Sequence, residues 1–572
     1  MTLFNVLMSD SSRTIINVRY KVQNLLNIDI LISYVFISEY MSKVVRQIKE
    51  EAGQNFPKDT KRAVIFQGGG AIGAYAAGVY AALYYWMKKD ITDAENVFDI
   101  VAGASAGAIN ASIIVGHVMA SKSKKVQRWE GSVNKLLDFW SFISSSPNFT
   151  KWKPFFSYFW PFFGNEKYWI TVWDNANFGN VASGEAARRY YSSKEYLYSG
   201  APNVFSYQTN EIDDRFFDNI WPVTNDWYRY DNNALKESIQ GYADFPIKTS
   251  PDAGDPRLLI VTVDVEEGEQ VTFDSHSDNV GFGYTEKGEK KYSIEYRKGL
   301  MVEHIMASSS VPVHYDYALV PVKYDYTKLG ESEPKSKNID FHNGKYRRFW
   351  DGGILSNTPL REVIQAHQDL KEGNIPPPSL KVYIVDVWPS VKHYPIASDH
   401  DGVINRKNDL IYQDKTFYEE KVTHLISDYK SLVEEFRKLA EKNNLQTQIN
   451  DILIMSAPRS RKRDGSTRTY GELIETVFDI DITRIERTPN ENEISFKWCD
   501  YSVQTIDNLI NQGIKDTLNV MIEESLQRNN QEKSMAKKEI RAFINSVEDE
   551  KQIQQLDKRY AILLIDEADA IL

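Results

Sequence analysis

The chain has a single cysteine, Cys499, in 572 residues. That excludes an intramolecular disulfide framework and fits a reducing compartment. Cys499 follows a tryptophan and reads as a packed residue rather than a nucleophile. An excess of positive charge is also missing: 68 Lys and Arg stand against 79 Asp and Glu, a net charge of −11. A general nucleic-acid binder would want a basic surface, so that class is disfavoured and no nucleic-acid partner is expected. Long apolar runs are absent as well. The best, residues 25–38, is interrupted by Asn27, Asp29 and Ser33, far short of the roughly 20 residues a bilayer span needs. It lacks the small-residue cleavage site of a secretory signal. Residues 1–40 read as a loosely attached extension or a start-site artefact, with a short membrane-associating anchor as the rival.

A complete nucleotide site is lacking too. Residues 561–569 (AILLIDEAD) look like the apolar strand and acidic pair of a Walker B element. An ATPase also needs Gly-x-x-x-x-Gly-Lys-Ser/Thr to hold phosphates, and the chain has none. The glycine loop at Gly68 carries Ala74 and Tyr75 where the lysine and hydroxyl would stand. The tail therefore reads as a terminal apolar strand or helix docking on the body.

What is present centres on two glycine-framed turns 35 residues apart, Gln67-Gly68-Gly69-Gly70-Ala71-Ile72-Gly73 and Gly103-Ala104-Ser105-Ala106-Gly107. Each follows a short apolar run that reads as a buried strand, residues 63–66 and 98–102, and each leads into an alanine-rich helical pattern. A serine held between glycines on a strand-to-helix turn is a nucleophile elbow, whose bend lifts the hydroxyl clear of the sheet. A triple glycine at a second strand end supplies unobstructed backbone N–H groups, which a developing oxyanion requires. Either turn alone is a weak signal, since a glycine loop can equally cradle phosphate at a helix N-terminus.

A third element, Arg348-Phe349-Trp350-Asp351-Gly352-Gly353-Ile354-Leu355-Ser356-Asn357-Thr358-Pro359, reads as a strand end, a turn, and a helix opened by Asn357 or Thr358 with Pro359 in its first turn. By itself Asp-Gly-Gly is usually only a turn. Together and in this order, the three elements make the chain resemble the patatin-like phospholipase family over roughly residues 60–390. The segment Ala307-Ser308-Ser309-Ser310-Val311-Pro312 and the Asn357-Thr358-Pro359-Leu360 after the aspartate agree with it. One departure is visible: many members carry a basic residue in the glycine loop where this chain has Ile72.

The resemblance implies a Ser105–Asp351 dyad and hydrolysis of carboxylic esters in lipids, as a phospholipase A, lysophospholipase or other acyl hydrolase. Asp351 would take the Ser105 proton during attack, and the N–H groups of Gly69 and Gly70, with Gly68 as a third, would hold the oxyanion. Gly73, Gly103, Gly107, Gly352 and Gly353 complete the motifs. A carboxylate is a weaker base than imidazole, so desolvation must raise its pKa for work near neutrality. A Ser-His-Asp triad using His393 or His400 is the competing arrangement, but neither histidine has a glycine context like that of Asp351. The expected partner is a lipid ester, with peripheral membrane contact and a cytoplasmic location; the chemistry needs neither metal nor cofactor. The alternative from another class is a catalytically silent lipid-binding or scaffold protein that keeps the fold.

Hydrophobic content of 42% and charged content of 26% are globular values, and the length exceeds one ordinary core. The expected fold class is α/β: a three-layer patatin-like domain with a mostly parallel central sheet, residues 258–265 and 381–387 supplying further buried strands, plus a mainly helical C-terminal region. The expected divisions are 1–58 as an extension, 59–395 as the catalytic domain and 396–572 as the helical region. An aromatic-rich insertion near 139–173 suits a lid, a membrane-interface surface or an aromatic subcore. Apolar stripes at helical spacing, Val422 to Leu439 and Val503 to Ile522, read as core faces. Arg459, Arg461, Lys462, Arg463 and Arg468 read as a solvated basic loop, and residues 531–558 as solvent-facing helix.

Overall fold

Short aliphatic runs form the centre of the molecule because they can be buried on both faces, as the strands of a parallel sheet must be. The computed structural model describes residues 60–88, 96–122, 128–146, 182–207, 228–276, 279–284, 290–295, 298–324, 346–370, 377–390, 400–461, 467–475, 478–489 and 493–528, and beyond these 540–545, 547, 561, 564, 565 and 568. Eight strands make one sheet: β1 (Lys61–Phe66), β2 (Ile100–Ala104), β3 (Arg257–Asp264), β4 (Glu269–Asp274), β5 (Ala318–Pro321), β6 (Tyr346–Asp351), β7 (Leu380–Asp386) and β8 (Ile480–Glu486). Their order is β8-β7-β1-β2-β3-β6-β5, with β4 on the other side of β3. The five strands from β8 to β3 are mutually parallel, and β4, β5 and β6 are antiparallel to their neighbours. The sheet is thus mixed and mostly parallel. Strand β8 comes from beyond residue 396 and extends the same sheet.

Alternation along the strands separates two apolar layers. Ala63, Ile65, Ile100, Ala102 and Leu259 meet Leu360, Val363 and Ala366 of a helix on one face. Val64, Phe66, Val101, Leu258 and Ile260 face the larger core on the other. The helices that matter below are α1 (Ala74–Lys88), α2 (Ala106–Ser121), α3 (Ser132–Ile143), α4 (Val302–Ser308), α5 (Leu360–Gln368), α6 (His400–Tyr412), α7 (Phe417–Lys442), α8 (Gln446–Leu453) and α9 (Val503–Arg528). Helix α1 is apolar all round and buried almost throughout, as a helix enclosed by sheet and helices should be. Among the described residues no helix is long and apolar enough to cross a membrane.

The two C-terminal stripes behave differently. Ile506, Leu509, Ile510, Met521 and Ile522 of α9 are buried against the body. The α7 stripe is not a core face: Leu425, Tyr429, Leu432, Phe436 and Leu439 are all at least half exposed. Periodicity reports amphipathicity, not what covers the apolar side, and among the described elements α7 makes its main contacts with α8 and β8. The tail also departs from expectation. Ile540, Phe543 and Val547 turn into the core, so the stretch 531–558 is not simply solvent-facing, and Ala561, Leu564 and Ala568 are buried and helical. Cys499 is buried, and burial pushes its thiol pKa well up, as for an inert packed residue. Arg459 lies exposed on a hairpin strand; residues 462–466, 1–59 and most of the aromatic stretch, 147–173, lie outside the described residues.

Helices α1 and α9 meet backbone to backbone. A Cβ on Gly78 would lie 2.0 Å from the Ile510 carbonyl oxygen, and one on Gly513 would lie 2.2 Å from that of Tyr75. Gly78→Ala and Gly513→Ala are therefore each expected to lower the thermal midpoint, by forcing the helices apart at a cost of about 1–3 kcal/mol. An unchanged midpoint in both, measured by calorimetry, would mean that the helices do not touch this closely.

Candidate active site

Strand β2 stops at Ala104, and the next residue, Ser105, has φ 54° and ψ −127°. A non-glycine residue there is strained, at a cost of roughly 1–3 kcal/mol, and persists only where its surroundings hold it. The holding contacts are specific. Ser105 N–H donates to Ser308 Oγ at 2.9 Å, and Ser308 Oγ donates onward to the Val261 carbonyl at 2.5 Å. The Ser105 carbonyl accepts the first N–H groups of α2, from Ala108 at 2.9 Å and Ile109 at 3.2 Å. Helix α2 can start there because Gly107 lies directly on β1, where a Cβ would come 2.0 Å from the Phe66 carbonyl oxygen, and Gly103 packs against Gly107 in turn.

Sheet register brings Ser105 and Asp351 together. Ala104, at the end of β2, pairs with Val261 of β3. Strand β6 arrives antiparallel on the same edge of β3, and its last residue, Asp351, pairs with Thr262. The two strand ends therefore meet on consecutive residues of β3, with Thr262 Oγ1 donating to the Trp350 carbonyl at 2.7 Å and Gly352 packed on Val261. The Ser105 hydroxyl lies close enough to the Asp351 carboxylate to lower its pKa. The Gly353 N–H donates to Asp351 Oδ1 at 2.7 Å. Burial pushes the Asp351 carboxyl up to about 6, against the lowering effects of the Ser105 hydroxyl and the Gly353 N–H.

The glycine loop lies against this pair; a Cβ on Gly68 would sit 2.8 Å from Ser105 Cβ. Gly68 N–H is already committed to Asn357 Oδ1 at 3.1 Å. The Gly69 and Gly70 N–H groups have no partner among the described residues, which leaves these two as the candidate oxyanion donors. Asn357 Nδ2 donates to the Gly68 carbonyl at 3.3 Å and to that of Tyr412 at 2.8 Å. Gln67, fully buried, donates to Thr358 Oγ1 at 3.0 Å and accepts from the N–H groups of Val387 and Trp388 at 2.9 and 3.1 Å. Asn357 and Thr358 are thus not the start of the following helix. They turn inward onto the glycine loop, and α5 begins at Leu360 with Pro359 before it. Ile72 is buried beneath the loop, beside Gly69. Gly73 lies under Trp140, whose Nε1 donates to Asn110 at 2.9 Å; Asn110 in turn donates to the Gly73 carbonyl at 3.1 Å.

A cavity of about 480 Å³ opens over Ser105, Asp351 and the glycine loop. Its wall is mainly apolar, with Ile109, Phe139, Trp140, Leu235, Val311 and Tyr315 among the lining residues. Phe139 and Trp140 are the described beginning of the aromatic stretch, and they face the site. His314 also lines the cavity, its Nδ1 turned to the Pro312 carbonyl at 3.2 Å and its ring against Trp498. His400 begins α6 and is not among the lining residues, and His393 lies outside the described residues. Sequence reading missed Gln67, Ser308 and Asn357 as members of the site, although all three stood inside its motifs.

A family model described as patatin-like phospholipase matches residues 64–364, just over half of the chain. Among solved structures the chain is similar to the crystal structure of VipD from Legionella pneumophila, at 10% sequence identity and a TM-score of 0.23, covering 90% of this chain and 85% of that one. That likeness is too loose to carry an argument. No curated protein matches the chain.

The raised carboxyl predicts a stability effect of definite sign. With its folded pKa above the unfolded value, the group favours the folded state at low pH, and this contribution is lost as pH rises through about 6. Asp351→Asn, which never ionises, is expected to be more stable than the parent at pH 7, by up to about 3 kcal/mol, and to lose that advantage near pH 4. Urea unfolding at the two pH values checks this; a variant less stable at pH 7 than at pH 4, relative to the parent, would contradict it.

Proposed function

Because the chain belongs to the patatin-like phospholipase family, we propose that it hydrolyses carboxylic esters of lipids through an acyl intermediate on Ser105, with Asp351 as general base. The observation that carries this reading is the convergence of the strained Ser105 and the buried Asp351 carboxylate at the floor of one apolar cavity. As Ser105 Oγ bonds to the ester carbonyl carbon, its proton passes to Asp351. The carbonyl oxygen becomes an alkoxide facing the Gly69 and Gly70 N–H groups, which are preorganised and need not rotate at the moment of reaction. Collapse breaks the bond to the leaving alcohol, and the Asp351 proton goes to that oxygen. Water then enters, gives a proton to the same carboxylate and attacks the acyl carbon; the proton returns to Ser105 as the acid departs.

The apolar wall suits an acyl chain better than a polar substrate. Ile354 and Leu355 follow the Asp351-Gly352-Gly353 turn and stand about half exposed, 46% and 52%, with Ile354 also lining the cavity. This placement suits contact with a lipid surface by a protein that binds it peripherally.

Ser105→Ala and Asp351→Asn are each expected to lower ester turnover by on the order of 10³-fold or more, with both variants folded. A fluorophosphonate probe should label Ser105 in the parent and, at least a hundredfold more slowly, in Asp351→Asn, as mass spectrometry of the labelled peptide would read. The parent's kcat/KM should fall as pH drops through about 6, since only the ionised carboxylate accepts the proton. Full turnover by both variants would remove the dyad; a folded parent that neither labels nor turns over any ester would leave a lipid-binding protein with an idle site.

A further inference from the structure

The family match ends at residue 364, yet the cavity wall includes Trp388, Asn408, Tyr412, Trp498 and Tyr501. Of these, Trp498 touches the oxyanion loop itself. Gly70 has φ +57°, and a Cβ there would lie 2.4 Å from the Trp498 carbonyl oxygen. The peptide of a short turn, Lys497–Cys499, is therefore pressed onto the residue whose N–H is a candidate oxyanion donor. No side chain could stand between them.

Behind that turn lies a cluster of four charged side chains. Lys497 Nζ bonds Asp409 Oδ1 at 2.6 Å and Glu493 Oε2 at 2.7 Å. Arg487 Nη1 bonds Glu493 Oε1 at 2.6 Å, and Arg487 Nε donates to the Val387 carbonyl at 2.7 Å. Every one of these side chains is at most 4% exposed. The ammonium also stands 5.3 Å from the ring centroid of Trp388, whose Nε1 donates to the Gly68 carbonyl at 2.7 Å. From Lys497, then, one route reaches Gly70 through the next peptide and another reaches Gly68 through Trp388. Two cations and two anions balance, so the set is neutral, and its hydrogen bonds have fixed directions that an apolar filling would lack.

We propose that Lys497 is a positioning residue for the oxyanion loop, holding Gly68–Gly70 from behind through Trp498 and Trp388. Residues 487 and 493–499 are then a working part of the site rather than an appendage. This rests on the ester-hydrolase reading, because only that chemistry asks the loop to hold a developing oxyanion.

The experiment uses the full chain with Lys497→Met, and with the isosteric Asp409→Asn should the first variant fail to fold by circular dichroism. Reactive sites are counted with a fluorophosphonate, so that turnover of a monomeric ester is expressed per active Ser105 and misfolded protein does not contribute. The expected result is a kcat per site lowered by on the order of 10- to 100-fold, as for a misplaced oxyanion donor. KM should stay within about threefold, and the pH midpoint of kcat/KM should not move. Parental kcat per site in the folded variant would overturn the proposal. So would a shifted midpoint, which would assign the effect of Lys497 to Asp351 instead of the loop. A parent that does not label at Ser105 is a different result: it removes the ester-hydrolase reading, and this inference with it.

Discussion

The candidate site depends on one constraint, the edge of β3. Parallel β2 occupies it as far as Val261, and antiparallel β6 occupies it from Thr262 onward. A strand cannot be extended through a residue at which another strand already pairs, so both chains must turn away at the same place. One turns into a helix at Ser105 and the other into a glycine turn at Asp351. Because side chains alternate along a strand, a slip of one residue in either register would send Ser105 or Asp351 to the opposite face. The buried Thr262 hydroxyl, bonded to the Trp350 carbonyl, and the Ser308 hydroxyl, bridging Ser105 N–H to Val261, pin both registers at the point where slippage would matter.

Around that edge the elements are joined by side chains that reach far along the sequence. Asn357 closes on Gly68 across 289 residues, and Gln67 joins the ends of β1 and β7 to Thr358. Lys497 ties the turn after β8 to α6 through Asp409. These polar groups are buried (Gln67, Lys497) or partly buried (Asn357), and a buried one costs more to leave unbonded than its bond contributes. Correct assembly of the loop is therefore coupled to correct packing of regions on both sides of residue 396. The backbone contact between Gly78 of α1 and α9 adds an apolar constraint of the same reach.

This division explains what was legible in the sequence. The glycine-framed serine, the triple glycine and the Asp-Gly-Gly turn announce themselves because turn chemistry is local: the residue needed for a bend stands at the bend. The mostly parallel sheet was legible for a related reason, since strands buried on both faces must be aliphatic throughout. Asn357 and Thr358 carried an equally local signal, that of a helix start, and the signal misled because their hydroxyl and amide groups were taken up by the glycine loop instead of by the first turn of α5. The α7 stripe misled differently. Helical spacing of Leu425, Tyr429, Leu432, Phe436 and Leu439 establishes that one side is apolar, and whether another element covers it is decided by tertiary packing. Lys497 and Arg487 gave no signal at all, because a buried ion pair becomes visible only when both partners have been placed.

Burial of Asp351 sets opposing demands that its surroundings balance. An exposed carboxylate near its ordinary pKa would be ionised at neutral pH but too weak a base to help a serine hydroxyl. Deeper burial, without compensating hydrogen bonds, would raise basicity while leaving the group protonated and useless as an acceptor. With the carboxyl at about 6, roughly nine-tenths of the molecules are ionised at pH 7, yet the proton affinity is about a hundredfold above that of a free aspartate. The Gly353 N–H and the Ser105 hydroxyl are what keep the value from climbing further. Both come from the turns themselves. The glycine after the aspartate thus does more than allow a bend, since the N–H it presents to Oδ1 holds the carboxylate in the range where it can act as a base.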